Sequence, residues 1–153
     1  MTELKVGDKA PDFSLMDEHG RPVSLKDHIG KNIVVLYFYQ KDFTPGCTTE
    51  ACSFRDSYKP FREKGAVVIG VSLDSVESHK KFSEKYALPF AILSDNKKEA
   101  AKAYGVLGTG GLMARRITFI IDKDGTIARV FPKVDVTVHS EQVLEALDEL
   151  LKS

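Results

Sequence analysis

Three apolar runs constrain this chain more than any other feature of its sequence. IVVLYFY (33–39), AVVIGVS (66–72) and the shorter FAIL (90–93) are rich in β-branched and aromatic residues and lack polar alternation. Strands of that kind are buried on both faces, as inside a parallel sheet. Each run is followed by a segment with helical spacing. After the first, Cys47, Ala51, Phe54, Tyr58 and Phe61 fall on one inward stripe, with a kink or restart expected at Pro60 and an end at Gly65. After the second, Asp74 and Glu77 have the spacing of a capping box that opens a helix running to about Tyr86. After the third, KKEAAKAY (97–104) reads as a helix closed by Gly105.

The flanks complete the layout. Phe13 and Leu15, then Val23 and Leu25, alternate about the turn-like DEHGRP and predict an N-terminal hairpin. RITFIID (116–122), the turn KDG and TIARVF (126–131) predict a second hairpin. Ser140 is expected to cap a last helix whose buried stripe is Val143, Leu144, Leu147, Leu150 and Leu151. Strands alternating with helices imply an α/β class with helices on both faces of the sheet. The order predicts a thioredoxin-like fold: a central mixed sheet with an extra N-terminal β-hairpin, in one domain over residues 1–153. There is no internal repeat or linker-like tract.

Lys plus Arg and Asp plus Glu both number 22, so charge gives no reason to expect nucleic acid or an anionic membrane as partner. No apolar stretch approaches the roughly 18–20 residues of a spanning helix. The opening MTELKVGDKAPDF carries acidic residues and no long apolar core, so it is not expected to be a secretory signal. A cytoplasmic location follows as the expectation. There, two close cysteines are more often redox-active than structural.

Both cysteines stand in one stretch, TPGCTTEAC (44–52). Cys47 falls where the first long strand has ended and a helix begins, with Pro45 and Gly46 forming the turn. The thiolate is the nucleophile, and the unpaired N–H groups and dipole of a helix N-terminus stabilise it. Thr44 can bring a hydroxyl to the same mouth, and ligands of open α/β sheets bind beyond the carboxyl ends of the strands. A buried cysteine also serves simply as a small hydrophobe, so position alone leaves that reading open. C-x4-C lacks two ligands for zinc, and His19, His28, His79 and His139 have no ligand spacing. No metal is expected, and the histidines are expected at the surface or as caps. Glycines 108, 110 and 111 in LGTGGLM lack the Lys-Ser/Thr ending of a phosphate loop and read as a flexible loop.

At TPGCTTEACSFRD the chain resembles the peroxiredoxins, specifically the peroxiredoxin Q or bacterioferritin comigratory protein subfamily. The likeness extends to the opening KVGDKAPDFSL and to RITFIID. It implies that Cys47 is the peroxidatic thiol, Cys52 the resolving one, and Thr44 the hydroxyl contacting sulfur and peroxide. It implies further that Arg116, rather than the adjacent Arg115, stabilises the thiolate and polarises the peroxide. Gly46 and Glu50 fall on the substrate-binding side, Glu50 at the acidic position that orients the arginine. One departure stands out: Gln40 occupies the place of a family proline that shields the sulfur.

The implied reaction is reduction of hydrogen peroxide and organic hydroperoxides through a Cys47 sulfenic acid and an intramolecular Cys47–Cys52 disulfide. A thioredoxin-like or glutaredoxin-like dithiol reductant would recycle it, with no cofactor and a monomeric chain. The rival readings are a thiol–disulfide oxidoreductase and a redox-switch binding protein, neither with peroxidase turnover. Five residues along a continuous helix separate the Cα atoms by about 8–9 Å, beyond the roughly 7 Å that a disulfide spans. If both cysteines share a helix, it must unwind between them.

Overall fold

The computed structural model describes residues 4–152. The single-domain expectation over 1–153 lies outside the described residues at 1–3 and 153. In chain order the elements are β1 (Ser14–Met16), β2 (Pro22–Ser24), β3 (Ile33–Phe38), α1 (Pro45–Asp56), α2 (Tyr58–Glu63), β4 (Ala66–Ser72) and α3 (Val76–Tyr86). Then come β5 (Ala91–Ser94), α4 (Glu99–Ala103), β6 (Ile117–Ile121), β7 (Ile127–Phe131) and α5 (His139–Leu151). The strands form one seven-stranded mixed sheet in the order β2-β1-β5-β4-β3-β6-β7. β3, β4 and β5 run parallel, and β6 returns antiparallel against β3. The α/β fold with an N-terminal hairpin is as the sequence predicts.

Alternation along β3 divides the interior. Val34, Leu36 and Phe38 enter one core with Phe13, Ala101, Tyr104 and Phe119, under α4. Ile33, Val35 and Tyr37 enter the other with Cys47, Phe54, Phe61, Phe82 and Leu147, under α1, α2, α3 and α5. A fully buried Phe side chain contributes about 1.5–3 kcal/mol, so Phe54, with the smaller Ala51, fastens α1 to the sheet along one side.

Several local expectations are corrected. The stripe through Tyr58 breaks at Ser57, not at Pro60, which sits in the first turn of α2. A proline disrupts the helix on its N-terminal side, because it cannot donate to the carbonyl four residues back and its ring crowds that carbonyl. Asp74 does not cap α3: Ser75 does, accepting from the Ser78 N–H at 3.1 Å. Ser140 is not the cap of α5 but lies inside it, its hydroxyl 2.6 Å from that of Ser53. In α5 Val143, Ala146 and Leu147 are buried, whereas Leu151 is exposed. The segment 109–111 forms a 3-10 turn interrupted at Gly110, whose φ of +82° favours glycine. Two histidines are not surface groups at all: His79 and His139 are fully buried. Among the described residues no helix is long and apolar enough to cross a membrane.

Candidate active site

The site grows from the end of β3. Thr44 holds extended backbone at the N-cap of α1 and Pro45 opens the helix, where a missing N–H costs nothing. The Thr48 N–H donates to the Thr44 carbonyl at 2.9 Å, closing the first turn. Gly46 and Cys47 lie in that turn, where amides have no partner within the helix. Cys47 is 1% exposed and packs on the core face of Tyr37, Tyr39 and Phe54.

Antiparallel pairing of Phe38 with Ile117 brings the residue before β6 to the carboxyl end of β3. That residue is Arg116. Its Nη2 donates to Cys47 Sγ at 3.3 Å and to Gln40 Oε1 at 3.3 Å, and its Nη1 donates to Glu50 Oε1 at 2.7 Å. Gly46 permits this approach, since a Cβ there would lie 3.1 Å from Nη2. Arg115 instead donates to the Gly105 carbonyl at 2.8 Å. The two adjacent arginines thus diverge just ahead of β6, Arg116 toward Cys47 and Arg115 toward Gly105.

Glu50 is wholly buried one turn along α1 from Gly46. Burial pushes its carboxyl up to about 7, against the downward pull of the Arg116 charge and hydrogen bond. Burial works against the guanidinium charge too, but Glu50 and Cys47 outweigh it and raise the Arg116 pKa. Arg116 is therefore a fixed cation. Burial, then Glu50 and Cys47, push the Tyr37 phenol well up, so it stays neutral.

Thr44 is at the mouth, but its hydroxyl donates to the Lys41 carbonyl at 2.8 Å, which leaves the oxygen's lone pairs as acceptors. No hydrogen bond joins it to Cys47 among the described residues. Cys52 shares α1 with Cys47; both thiols are free, and Cys52 is half-buried. It borders an open cleft of about 450 Å³ with Thr48, Thr49, Asp56 and Val136. Cys47, Gly46, Glu50 and Arg116 are brought together, with Gln40 beside them; Cys52 stands apart from them.

Sequence reasoning missed a second polar cluster behind this site, formed by Tyr39, Asp42, Asp74 and His79. For His79 a signal existed: with Phe82 and Ser83 it forms the buried stripe of α3. His139 likewise belongs to the inward stripe of α5.

The chain matches the AhpC/TSA family over residues 6–130. It is 47% identical over 153 residues to "Peroxiredoxin Bcp" of Bacillus subtilis, covering 96% of this chain and 97% of that one. Among solved structures, peroxidoxin BcpB from Mycobacterium tuberculosis superimposes with a TM-score of 0.90 at 36% identity, covering 97% of this chain and 99% of that one. A bacterioferritin comigratory protein from Xanthomonas campestris, described for its alkyl peroxide reduction activity, has a TM-score of 0.85 at 35% identity. That alignment covers 90% of this chain and 91% of the other.

Proposed function

The chain belongs to the AhpC/TSA family and is a thioredoxin-dependent thiol peroxidase, and from that premise we propose that Cys47 is the reacting thiol and Cys52 the one that resolves it. The observation that carries this reading is the guanidinium of Arg116, 3.3 Å from Cys47 Sγ at the start of α1.

The Cys47 thiolate attacks one oxygen of the hydroperoxide. A sulfur–oxygen bond forms as the oxygen–oxygen bond breaks, and the departing alkoxide or hydroxide takes a proton. Arg116 and the amides of Gly46 and Cys47 meet the charge developing on the peroxide oxygens. The Thr44 oxygen, whose O–H donates to the Lys41 carbonyl, accepts a hydrogen bond from the hydroperoxide O–H. Glu50 keeps the arginine turned toward the sulfur. Cys47 leaves the step as a sulfenic acid. Gln40, in place of a shielding proline, adds a polar partner for Arg116.

Cys52 then condenses with the sulfenic acid, releasing water. Both residues lie on the continuous helix α1, so their Cα atoms are about 8–9 Å apart and the segment 47–52 must unwind. Ser53, bonded to Ser140, and the buried Phe54 hold the far side of that segment. A thioredoxin-like dithiol reduces the disulfide by exchange. We also take the chain to be a single-domain cytoplasmic monomer without nucleic-acid or membrane partners, a reading consistent with 22 basic and 22 acidic residues. Peroxide consumption over many turnovers with a dithiol reductant tests the function. Activity in the wild type and its loss in Cys47→Ser are expected, and a Cys47→Ser protein that still turned over would reject the assignment.

A further inference from the structure

Asp42 lies in the loop between β3 and α1 and is buried. Its Oδ1 accepts from the Tyr39 hydroxyl at 2.6 Å, and its Oδ2 accepts from Ser78 Oγ at 2.8 Å and pairs with His79 Nδ1 at 2.7 Å. Its own N–H donates to Asp74 Oδ2 at 2.8 Å, an oxygen that also takes the Ser72 hydroxyl. His79 Nε2 faces the Leu93 carbonyl at 2.9 Å. A carbonyl only accepts, so Nε2 donates to Leu93, and the ring is held between that carbonyl and the Asp42 carboxyl group. Ligand atoms of Asp42, Asp74 and His79 lie within 4.8 Å of one another, but hydrogen bonds already occupy them. The cluster works as a tether between α3, β5 and the loop.

The loop it holds carries two groups of the reaction site, one on either side of Asp42. Gln40 accepts from the same Arg116 nitrogen that reaches Cys47. Thr44 begins α1. Between Asp42 and Thr44, Phe43 adopts a φ of +67°, a strained value for an aromatic residue. Such strain persists only where the surroundings over-determine it. Here they are the Asp42 contacts on one side and, on the other, Phe82 of α3, whose ring centroid lies 5.1 Å from that of Phe43.

We propose that His79 is a positioning residue for peroxide reduction: as the buried partner of Asp42 it holds residues 40–44 in place against Cys47 and Arg116. Without it the buried Asp42 carboxyl group loses its 2.7 Å partner, and the loop must shift to satisfy it. A displacement of about 1 Å in a reacting constellation costs roughly 100-fold in rate.

The inference rests on Cys47 as the reacting thiol, and the two fail differently, since Cys47→Ser abolishes oxidation whereas loss of the tether slows it. The test is the pseudo-first-order rate of Cys47 oxidation in excess hydrogen peroxide, followed by quenching and mass spectrometry. The rate is read only on variants whose near-ultraviolet circular dichroism matches that of wild type, so that it is the rate of folded protein and not of a partly unfolded population. His79→Gln and Asp42→Ala are expected to slow it by at least about fivefold. Asp42→Asn, whose amide can donate to a neutral imidazole, should recover most of the loss, and reduction of the preformed disulfide by dithiothreitol should be unchanged. Should His79→Gln fail to fold, Ser78→Ala removes one donor to Asp42 and is expected to slow the same step. Rates within about twofold of wild type in the folded variants, or Asp42→Asn as slow as Asp42→Ala, would overturn the proposal.

Discussion

Arg116 and Cys47 are 69 positions apart in the chain, yet a guanidinium nitrogen of one lies 3.3 Å from the sulfur of the other. The antiparallel register of β3 and β6 makes that contact, with Gly46 leaving room for it. On the proposed mechanism, removing the guanidinium takes a charged donor from the place where the oxygen–oxygen bond would break. Arg116→Ala is expected to slow Cys47 oxidation about 100-fold. Arg115→Ala, whose side chain is exposed and directed to Gly105, should stay within about twofold of wild type. Stopped-flow oxidation rates of the two variants decide it, and a larger loss at Arg115 would mean the wrong arginine has been assigned.

Glu50 gives stability a pH dependence of definite sign. Its folded-state pKa lies at about 7, above its ordinary value of 4.5. The folded protein therefore holds this proton more tightly than the unfolded chain. The contribution is complete below about 4.5 and is lost as the pH rises through about 7. The unfolding free energy of wild type minus that of Glu50→Gln should fall across this window, by up to about 1.4 kcal/mol per pH unit. Denaturant titrations at several pH values measure it, and a difference that stayed flat would contradict the assignment.

His139 works in the opposite sense. Burial lowers its pKa from 6.5 to about 4, so its contribution is present above 6.5 and is lost as the pH falls toward 4. Wild type minus His139→Gln should accordingly grow as the pH rises between those values. The same titrations report it, and a difference that shrank with rising pH would be inconsistent with a buried neutral ring.

Cys52→Ser should still react once with peroxide and then stall. A dimedone-type probe is expected to label a sulfenic acid at Cys47, and further peroxide should carry it to the sulfinic acid. Multiple turnover with thioredoxin should be lost or much slowed. Recycling at the wild-type rate would remove Cys52 from the resolving role.

The strands and their order were legible because long apolar runs of β-branched and aromatic residues have few alternative placements, as in IVVLYFY and AVVIGVS. The local sequence around Cys47 placed it at a helix start, because Pro45 and Gly46 follow a strand. Arg116 could be selected over Arg115 through family resemblance and strand alternation, whereas helical periodicity says nothing of either. What escaped were features set by tertiary context. Serine at 75 and aspartate at 74 are both good caps, and the Asp74 carboxylate is taken by the Asp42 N–H and Ser72 hydroxyl. His79 and His139 look like polar residues on amphipathic helices until their burial partners, Asp42 and Thr118, are seen. Those partners come from remote segments, which no local pattern joins.

The most direct test of the account uses the fact that both cysteines lie between Lys41 and Arg55, within one tryptic segment. Wild-type protein treated with one equivalent of hydrogen peroxide, alkylated and digested without reductant, should yield that segment unalkylated and lighter by two hydrogens. Amide exchange over residues 47–52 should be faster in this oxidised protein than in the reduced one, because α1 must open to bring the sulfurs together. A segment carrying two alkyl groups after peroxide has been consumed, or a disulfide joining two chains, would contradict the account.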